Sequence, residues 1–355
     1  MDSKKILVLV VVAIIAVAAV GIVISNMNKG EEGTLKVSYL KKVGYETQMI
    51  ADQKGFFKEA GINIESIPVT GSGQDAVNLL LSGDVDIAAT GEGPVATTLN
   101  KYLDNTVIVC GVNLYTGGHV WVSKAGTGLV AYNKTLDNKA EVLESFKTAS
   151  NDGSSPLKVG VQKGSTTESE FKGWLKAMGI TYNDFADDTP GKYVKLIDLK
   201  ANTLVSAMAT GDIDVLAASQ PYPSQALSQI SGSFQVGSNA DVDSYSIAVY
   251  ITTKTVYDEK KGLIEKFIKG LDLASKWMAD PAHKEECVNT CAEVIGGADA
   301  KNTVQAAYEI SEWKVAWSDK MANTLYKTCQ KKGFTDITET ICSDKCLFKE
   351  YIASL

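Results

Sequence analysis

Several loops in this sequence carry side chains able to hold a small molecule, and each follows an apolar run that reads as a strand. Lys163-Gly164-Ser165-Thr166-Thr167 lies between such a run and a helical stretch beginning near Glu168. Unpaired amides at a helix N-terminus with hydroxyls beside them make an anion site; the same residues also serve as an ordinary Ser/Thr cap. Thr70-Gly71-Ser72-Gly73-Gln74 occupies the corresponding place in the first half of the chain, which nominates Thr70, Ser72 and Gln74. Those glycines also fit a dinucleotide fingerprint with Glu92 about twenty residues on, but the helix is short and the second-half copy lacks them. Glu92, in Thr90-Gly91-Glu92-Gly93-Pro94, is expected at the floor or rim of a cleft, where a carboxylate selects an amine or another donor; a solvated loop carboxylate is the alternative. Tyr45, Tyr115 and Tyr222 follow strand candidates and suit stacking or hydrogen bonding, and Gln220 and His119 complete the candidates. No Ser–His–Asp order, zinc-protease motif or paired-carboxylate constellation stands out, so no catalytic residue, metal or cofactor is expected.

The elements that must position these loops occur twice. Leu35–Ser38 reads as a strand, a helix follows to Gly61, Asn63–Val69 is the next strand, and a second helix runs into Ser82-Gly83-Asp84-Val85-Asp86 before a short apolar strand. The second half repeats the order with Leu157–Gly160, a helix closing at Gly179, and Thr210-Gly211-Asp212-Ile213-Asp214. Each Gly suits a left-handed helix end, and the strand after each Asp-x-Asp should be buried on both faces. Alternating strands and helices give α/β architecture with mixed, mostly parallel sheets. Two similar lobes imply a cleft at the carboxyl ends of their strands. Lobe 1 is expected to be residues 34–120 with 248–355, and lobe 2 residues 121–247, joined by a two-strand hinge at Gly118–Ser123 and Tyr245–Thr252. Ala125–Pro156 reads as a surface elaboration, and the chain after Val256 as helices.

The charge balance narrows the partners. Net charge is −7 and every basic residue is Lys, since the sequence has no Arg. A nucleic-acid partner is therefore not expected, and an anion would be held by Lys, amides and hydroxyls without a bidentate Arg clamp. The apolar run Ile6–Ile24 is long enough for a helix of about 1.5 Å per residue nearly to cross a membrane. Lys4 and Lys5 place residues 1–5 in the cytoplasm and everything after Ser25 outside. The expected order is a transmembrane anchor over 6–24, a linker over 25–33, then the soluble body; a cleaved signal peptide and secretion is the alternative. Cys110 reads as a buried strand residue. Outside the membrane, Cys287, Cys291, Cys329, Cys342 and Cys346 are candidates for disulfides whose connectivity the sequence leaves open; a metal or iron–sulfur site fits their spacing less well.

The segments Ala51-Asp52-Gln53-Lys54-Gly55-Phe56-Phe57 with Ala60-Gly61-Ile62, Leu81–Pro94, Val159–Thr166 and Met208–Pro221 resemble the taurine-, alkanesulfonate-, nitrate- and thiamine-pyrimidine-binding receptors of ABC importers. The resemblance covers roughly Leu35–Asp280 and implies the type II periplasmic-binding-protein fold, lobe closure on a small polar ligand, and delivery to a permease with its ATPase, by a monomer. The 125–156 insert and the cysteine-bearing tail depart from that pattern. A ligand-sensing or redox ectodomain is the alternative function, followed by an enzyme like the thiamine-pyrimidine synthases.

Overall fold

The computed structural model describes residues 33–297 and 299–355. The expected cytoplasmic start, the anchor and nearly all of the linker lie outside the described residues. Among the described residues no helix is long and apolar enough to cross a membrane.

The chain builds two six-stranded sheets. The first begins with β1 (Thr34–Leu40), β2 (Asn63–Val69), β3 (Ile87–Gly91) and β4 (Thr106–Tyr115). The chain then builds the whole second sheet from β5 (His119–Ser123), β6 (Leu157–Val161), β7 (Tyr182–Asn183), β8 (Val194–Asp198), β9 (Val215–Ser219) and β10 (Phe234–Ser238). It returns to the first sheet with β11 (Ser246–Thr253) and β12 (Ser311–Ala316). The strand orders are β12-β4-β11-β3-β1-β2 and β10-β5-β9-β6-β8-β7.

The repeat seen in the sequence is a repeat in atoms. Gly83 (φ 82°) and Gly211 (φ 84°) end their helices in the left-handed conformation, which glycine adopts without steric cost. Asp86 Oδ2 then accepts from the Lys36 amide at 2.9 Å, and Asp214 Oδ2 accepts from the Lys158 amide at 2.9 Å. The other carboxylate oxygen meets a lysine in both copies, Lys260 at 2.6 Å and Lys124 at 2.7 Å. Each Asp thereby pins the start of a central strand to its neighbour, and β3 and β9 are buried at every residue.

Three expectations are corrected. The first sheet is mostly antiparallel where a mostly parallel one was expected: β1 is parallel to β2 and β3, and β11–β3, β11–β4 and β12–β4 are antiparallel. The second has three parallel and two antiparallel pairings. Antiparallel neighbours arise where the chain crosses between sheets, because the strands flanking each crossing run against the βαβ units. The hinge is not two strands, since β5 and β11 each stay within one sheet; the crossings are the turn 116–118 and the segment 239–245, which contains a 3₁₀ turn Asn239–Val242. Finally, the 125–156 region is not only surface: its helix Lys139–Ala149 buries Val142 and Phe146, and Phe146 packs on Trp174 with ring centroids 6.2 Å apart. The C-terminal region likewise adds the edge strand β12, pairing to β4, among its helices.

Candidate functional site

Three helices start at one place between the sheets. Gly73–Ser82 and Glu92–Tyr102 come from the first lobe and Thr166–Met178 from the second. Ser72 caps the first, its side chain accepting from the Gln74 amide, and Ser165 caps the third, accepting from the Glu168 amide at 3.1 Å. Together with the ends of β1, β5 and β9 they enclose a cavity lined by Lys42, Tyr45, Ser72, Tyr115, His119, Ser165, Thr166, Thr167 and Ser219. Helix N-termini carry partial positive charge and free amides, so the convergence favours a negative group.

The lobes are closed on this cavity. The Gly93 amide donates to Thr166 Oγ1 at 3.1 Å, Gln162 Nε2 to Asp75 Oδ2 at 2.9 Å, and Tyr222 OH to the Thr70 carbonyl at 3.1 Å. A Cβ on Gly93 would stand 2.6 Å from Thr166 Cα, and one on Gly91 2.4 Å from Thr166 Oγ1. Both glycines let the backbone of one lobe touch the other. The free space is about 30 Å³, room for about two waters, so any larger ligand enters only when the lobes part.

Lys42 is the one charged side chain lining this cavity among the described residues. Desolvation pushes its pKa down to about 8, against the upward pull of the Asp75 carboxylate, and its Nζ donates to Ser219 Oγ at 3.4 Å. His119 is buried, with Nδ1 at 2.8 Å from Thr167 Oγ1. Burial, with the Lys42 and Lys331 charges, drives its pKa to about 3, so it is a neutral hydrogen-bonding group at ordinary pH. Burial likewise raises the Tyr45 and Tyr115 phenols, which stay protonated. The cavity therefore offers one ammonium, hydroxyls and amides: a binding surface for a single anionic group.

The structure brings together Tyr45, Ser72, Tyr115, His119, Ser165, Thr166 and Thr167 of the residues nominated from sequence. Glu92 lies behind them, fully buried; its Oε2 accepts from the Ile247 amide at 2.9 Å, and burial and the Glu170 carboxylate raise its pKa to about 8. Thr70 contributes its carbonyl and Tyr222 its hydroxyl to the interlobe contact. Gln74 Nε2 bonds Asn78 Oδ1 at 3.1 Å. Lys163 is exposed, its Nζ over the Phe185 ring, and Gln220 lines a neighbouring cavity of about 170 Å³ shared with Val43 and Tyr115. Lys42 and Ser219 were missed, although Lys42 follows β1, Ser219 ends β9 and the carboxyl-end rule points to both. For Lys42, the absence of Arg was a second signal.

The six cysteines are buried free thiols. Cys291 Sγ donates to the Glu46 carbonyl at 4.0 Å; its neighbour Cys287 and burial raise its pKa, as Cys329 and burial raise that of Cys342. None lines the cavity.

Solved structures share this fold. The alkanesulfonate-binding protein SsuA from Xanthomonas axonopodis pv. citri, bound to MOPS, superposes with a TM-score of 0.68 at 13% identity, over 89% of this chain and 99% of its own. The periplasmic nitrate-binding protein NrtA from Synechocystis PCC 6803 gives 0.68 at 15% identity, over 92% and 89%. The desulfurization enzyme DSZB gives 0.61 at 12%, over 91% and 98%. No curated protein sequence matches the chain. Its sequence does match one family profile over most of its length, residues 28–292, and the chain belongs to the NMT1-like family.

Proposed function

We propose that this chain is the extracytoplasmic solute-binding component of an ABC importer, capturing a small polar ligand with one anionic group by lobe closure and handing it to a permease and its ATPase. The observation that carries this reading is the meeting of three helix N-termini, from both lobes, around Lys42 and a ring of hydroxyls. A ligand bridging Ser72 and Lys42 on one lobe and Ser165–Thr167 on the other shifts the population toward the closed form. Residues 34–115 with 246–355, around the first sheet, and residues 119–238, around the second, act as the two moving bodies about the 116–118 and 239–245 crossings. The apolar segment 6–24 holds the body at the outer face of the membrane.

The sulfonate- and nitrate-binding neighbours support this cargo class, and the cavity chemistry favours a receptor over an enzyme. The neutral His119 is tied to Thr167 Oγ1, and no cysteine stands in the cavity to act as a nucleophile. The test is a thermal-shift screen of residues 33–355 against alkanesulfonates, taurine, nitrate, bicarbonate and thiamine pyrimidines. A ligand at one hundred times its Kd adds about 2.7 kcal/mol of stability, read as a raised Tm. Absence of a saturable shift with every compound, in protein freed of carried-over ligand by unfolding and refolding, would reject this cargo class.

A further inference from the structure

We propose a second anion site outside the cleft cavity, in the groove between the helix Thr166–Met178 and the turn at Gln330–Phe334, which takes a small molecule carrying two or more phosphate or carboxylate groups. The groove encloses about 660 Å³, within the range of about 300 to 1,000 Å³ usual for small-molecule pockets. Five lysines line it, Lys172, Lys176, Lys192, Lys331 and Lys332, against the carboxylates of Glu168 and Asp184, on a chain of net charge −7. Lys172 is held by two carboxylates, Glu168 at 2.6 Å and Asp184 at 2.8 Å, and Lys331 by Glu170 at 2.9 Å, so five lysines against three carboxylates leave a net charge of +2.

Lys176, Lys192 and Lys332 have no ion pair among the described residues. The lining lysines outnumber the carboxylates beside them, and a multiply charged anion balances that excess. Burial, with the charge of Lys172, pushes the Lys332 ammonium below its ordinary pKa. A second observation points to a missing partner: Ser169, 5% exposed and lining the same groove, has a hydroxyl with no hydrogen-bond partner. A phosphate or carboxylate oxygen supplies one.

The groove's position gives the site a consequence. One wall, 168–192, belongs to the second lobe; the other, Gln330–Phe334, belongs to the first and lies beyond the family-matched residues. Both walls face each other in the closed arrangement, so a polyanion bound there favours closure and raises affinity in the cleft by the same factor that cleft ligand raises its own.

The test titrates the protein calorimetrically with tripolyphosphate and with citrate at low salt, comparing wild type, the pair Lys176→Gln and Lys332→Gln, and the pair Lys176→Arg and Lys332→Arg. Saturable binding is expected, weakened tenfold or more by the Gln pair and kept by the Arg pair; which probe binds tighter separates phosphate from carboxylate. Absence of saturable binding up to millimolar probe, or equal binding by the Gln pair, overturns the site. Neither substitution touches the cleft cavity, so a positive thermal shift with a cleft ligand in the Gln pair separates failure here from failure of the importer reading.

Discussion

The two lobes use one scaffold for two different jobs. Asp86 and Asp214 grip the strand before them with the same pair of bonds, one to a backbone amide and one to a lysine, and each is followed by a buried strand running to the cleft. At the cleft the copies diverge. In the first lobe, the N3 residue Asp75 folds back on the Ser72 amide at 2.7 Å and also takes Gln162 from across the gap; Lys42 and the glycines 91 and 93 complete that wall. In the second lobe, Glu168 turns to the Gly164 amide and Lys172, which leaves Ser165, Thr166 and Thr167 as the lining. The first lobe supplies the charge and the close backbone approach beside its own hydroxyls, the second hydroxyls and the neutral His119. The difference teaches that the repeat preserves how a strand is anchored while the loop beyond it is free to change chemistry.

The largest effect should come from denying the close approach. Gly93→Ala adds a methyl group within 2.6 Å of the Thr166 backbone only when the lobes are shut. Closure is then blocked while each lobe keeps its own core. Affinity for the cleft ligand should fall at least a hundredfold, about 2.7 kcal/mol, with Tm of the ligand-free protein changed little. Small-angle scattering of the variant with ligand present should retain the open radius of gyration; a wild-type contraction on ligand addition would show that this contact does not gate closure.

Next comes the charge on the first lobe. Lys42→Met removes the cavity's one ammonium, and a charge-assisted hydrogen bond is worth about 1.5 to 3 kcal/mol, so affinity should drop roughly tenfold to a hundredfold. The sign with pH follows from the depressed pKa of about 8. An anion binds the protonated form, so wild-type affinity should be level from pH 6 to 7 and decline as pH rises through 8. In the free protein the half-buried, partly desolvated ammonium costs stability below that pKa, and the cost is relieved as Lys42 deprotonates. Calorimetric Kd across pH 6 to 9.5 checks the affinity, and urea midpoints of the ligand-free protein over the same range check the stability. A Lys42→Met variant that keeps the wild-type slope would move the responsible group elsewhere.

Much of this scaffold was legible because it rests on local chemistry. Asn63–Val69 was read to the residue, and the Gly-Asp-x-Asp copies predicted helix ends and buried strands that the structure contains. The parallel bias was not legible in the same way, because strand direction at each crossing depends on where the chain re-enters a sheet. Of the cleft lining, Ser72, Ser165, Thr166 and Thr167 were found from hydroxyls beside helix starts, and Tyr45, Tyr115 and His119 from their places beside strands. Lys42 was overlooked because the pair Lys41-Lys42 after a strand looks like solvent-facing charge until the opposing lobe desolvates the second of them. Glu92 was expected near ligand, yet its helix begins one residue after β3 and turns the carboxylate onto β11.

The strand anchors offer a direct test of equivalence. Asp86→Ala and Asp214→Ala each strip a backbone amide of its carboxylate and a lysine of its partner, which should cost about 1 to 3 kcal/mol apiece. The two losses should agree within about 1 kcal/mol, measured as shifts in urea midpoint at constant m-value. A large gap would mean that the repeat in geometry is not a repeat in energy. Lobe 2 is the better placed to hide such a loss, since Trp121, Phe171 and Trp174 interlock in its core with Trp121 and Phe171 centroids 5.0 Å apart, and aromatic packing of this kind adds about 0.5 to 1.5 kcal/mol per pair.

The smallest expected effect belongs to the second lobe's hydroxyls. Thr166→Ala removes the acceptor of the Gly93 amide, a neutral hydrogen bond worth about 0.5 to 1.5 kcal/mol, while Ser165 still caps the helix at Glu168. Affinity should weaken roughly threefold to tenfold with Tm nearly constant, because the bond exists only across the gap. Thr166→Ser keeps the oxygen and should restore most of the loss. If Thr166→Ser is as weak as Thr166→Ala, the methyl group rather than the hydroxyl is what the closed lobes use, and the second lobe would then be reading ligand shape where its chemistry suggests it reads charge.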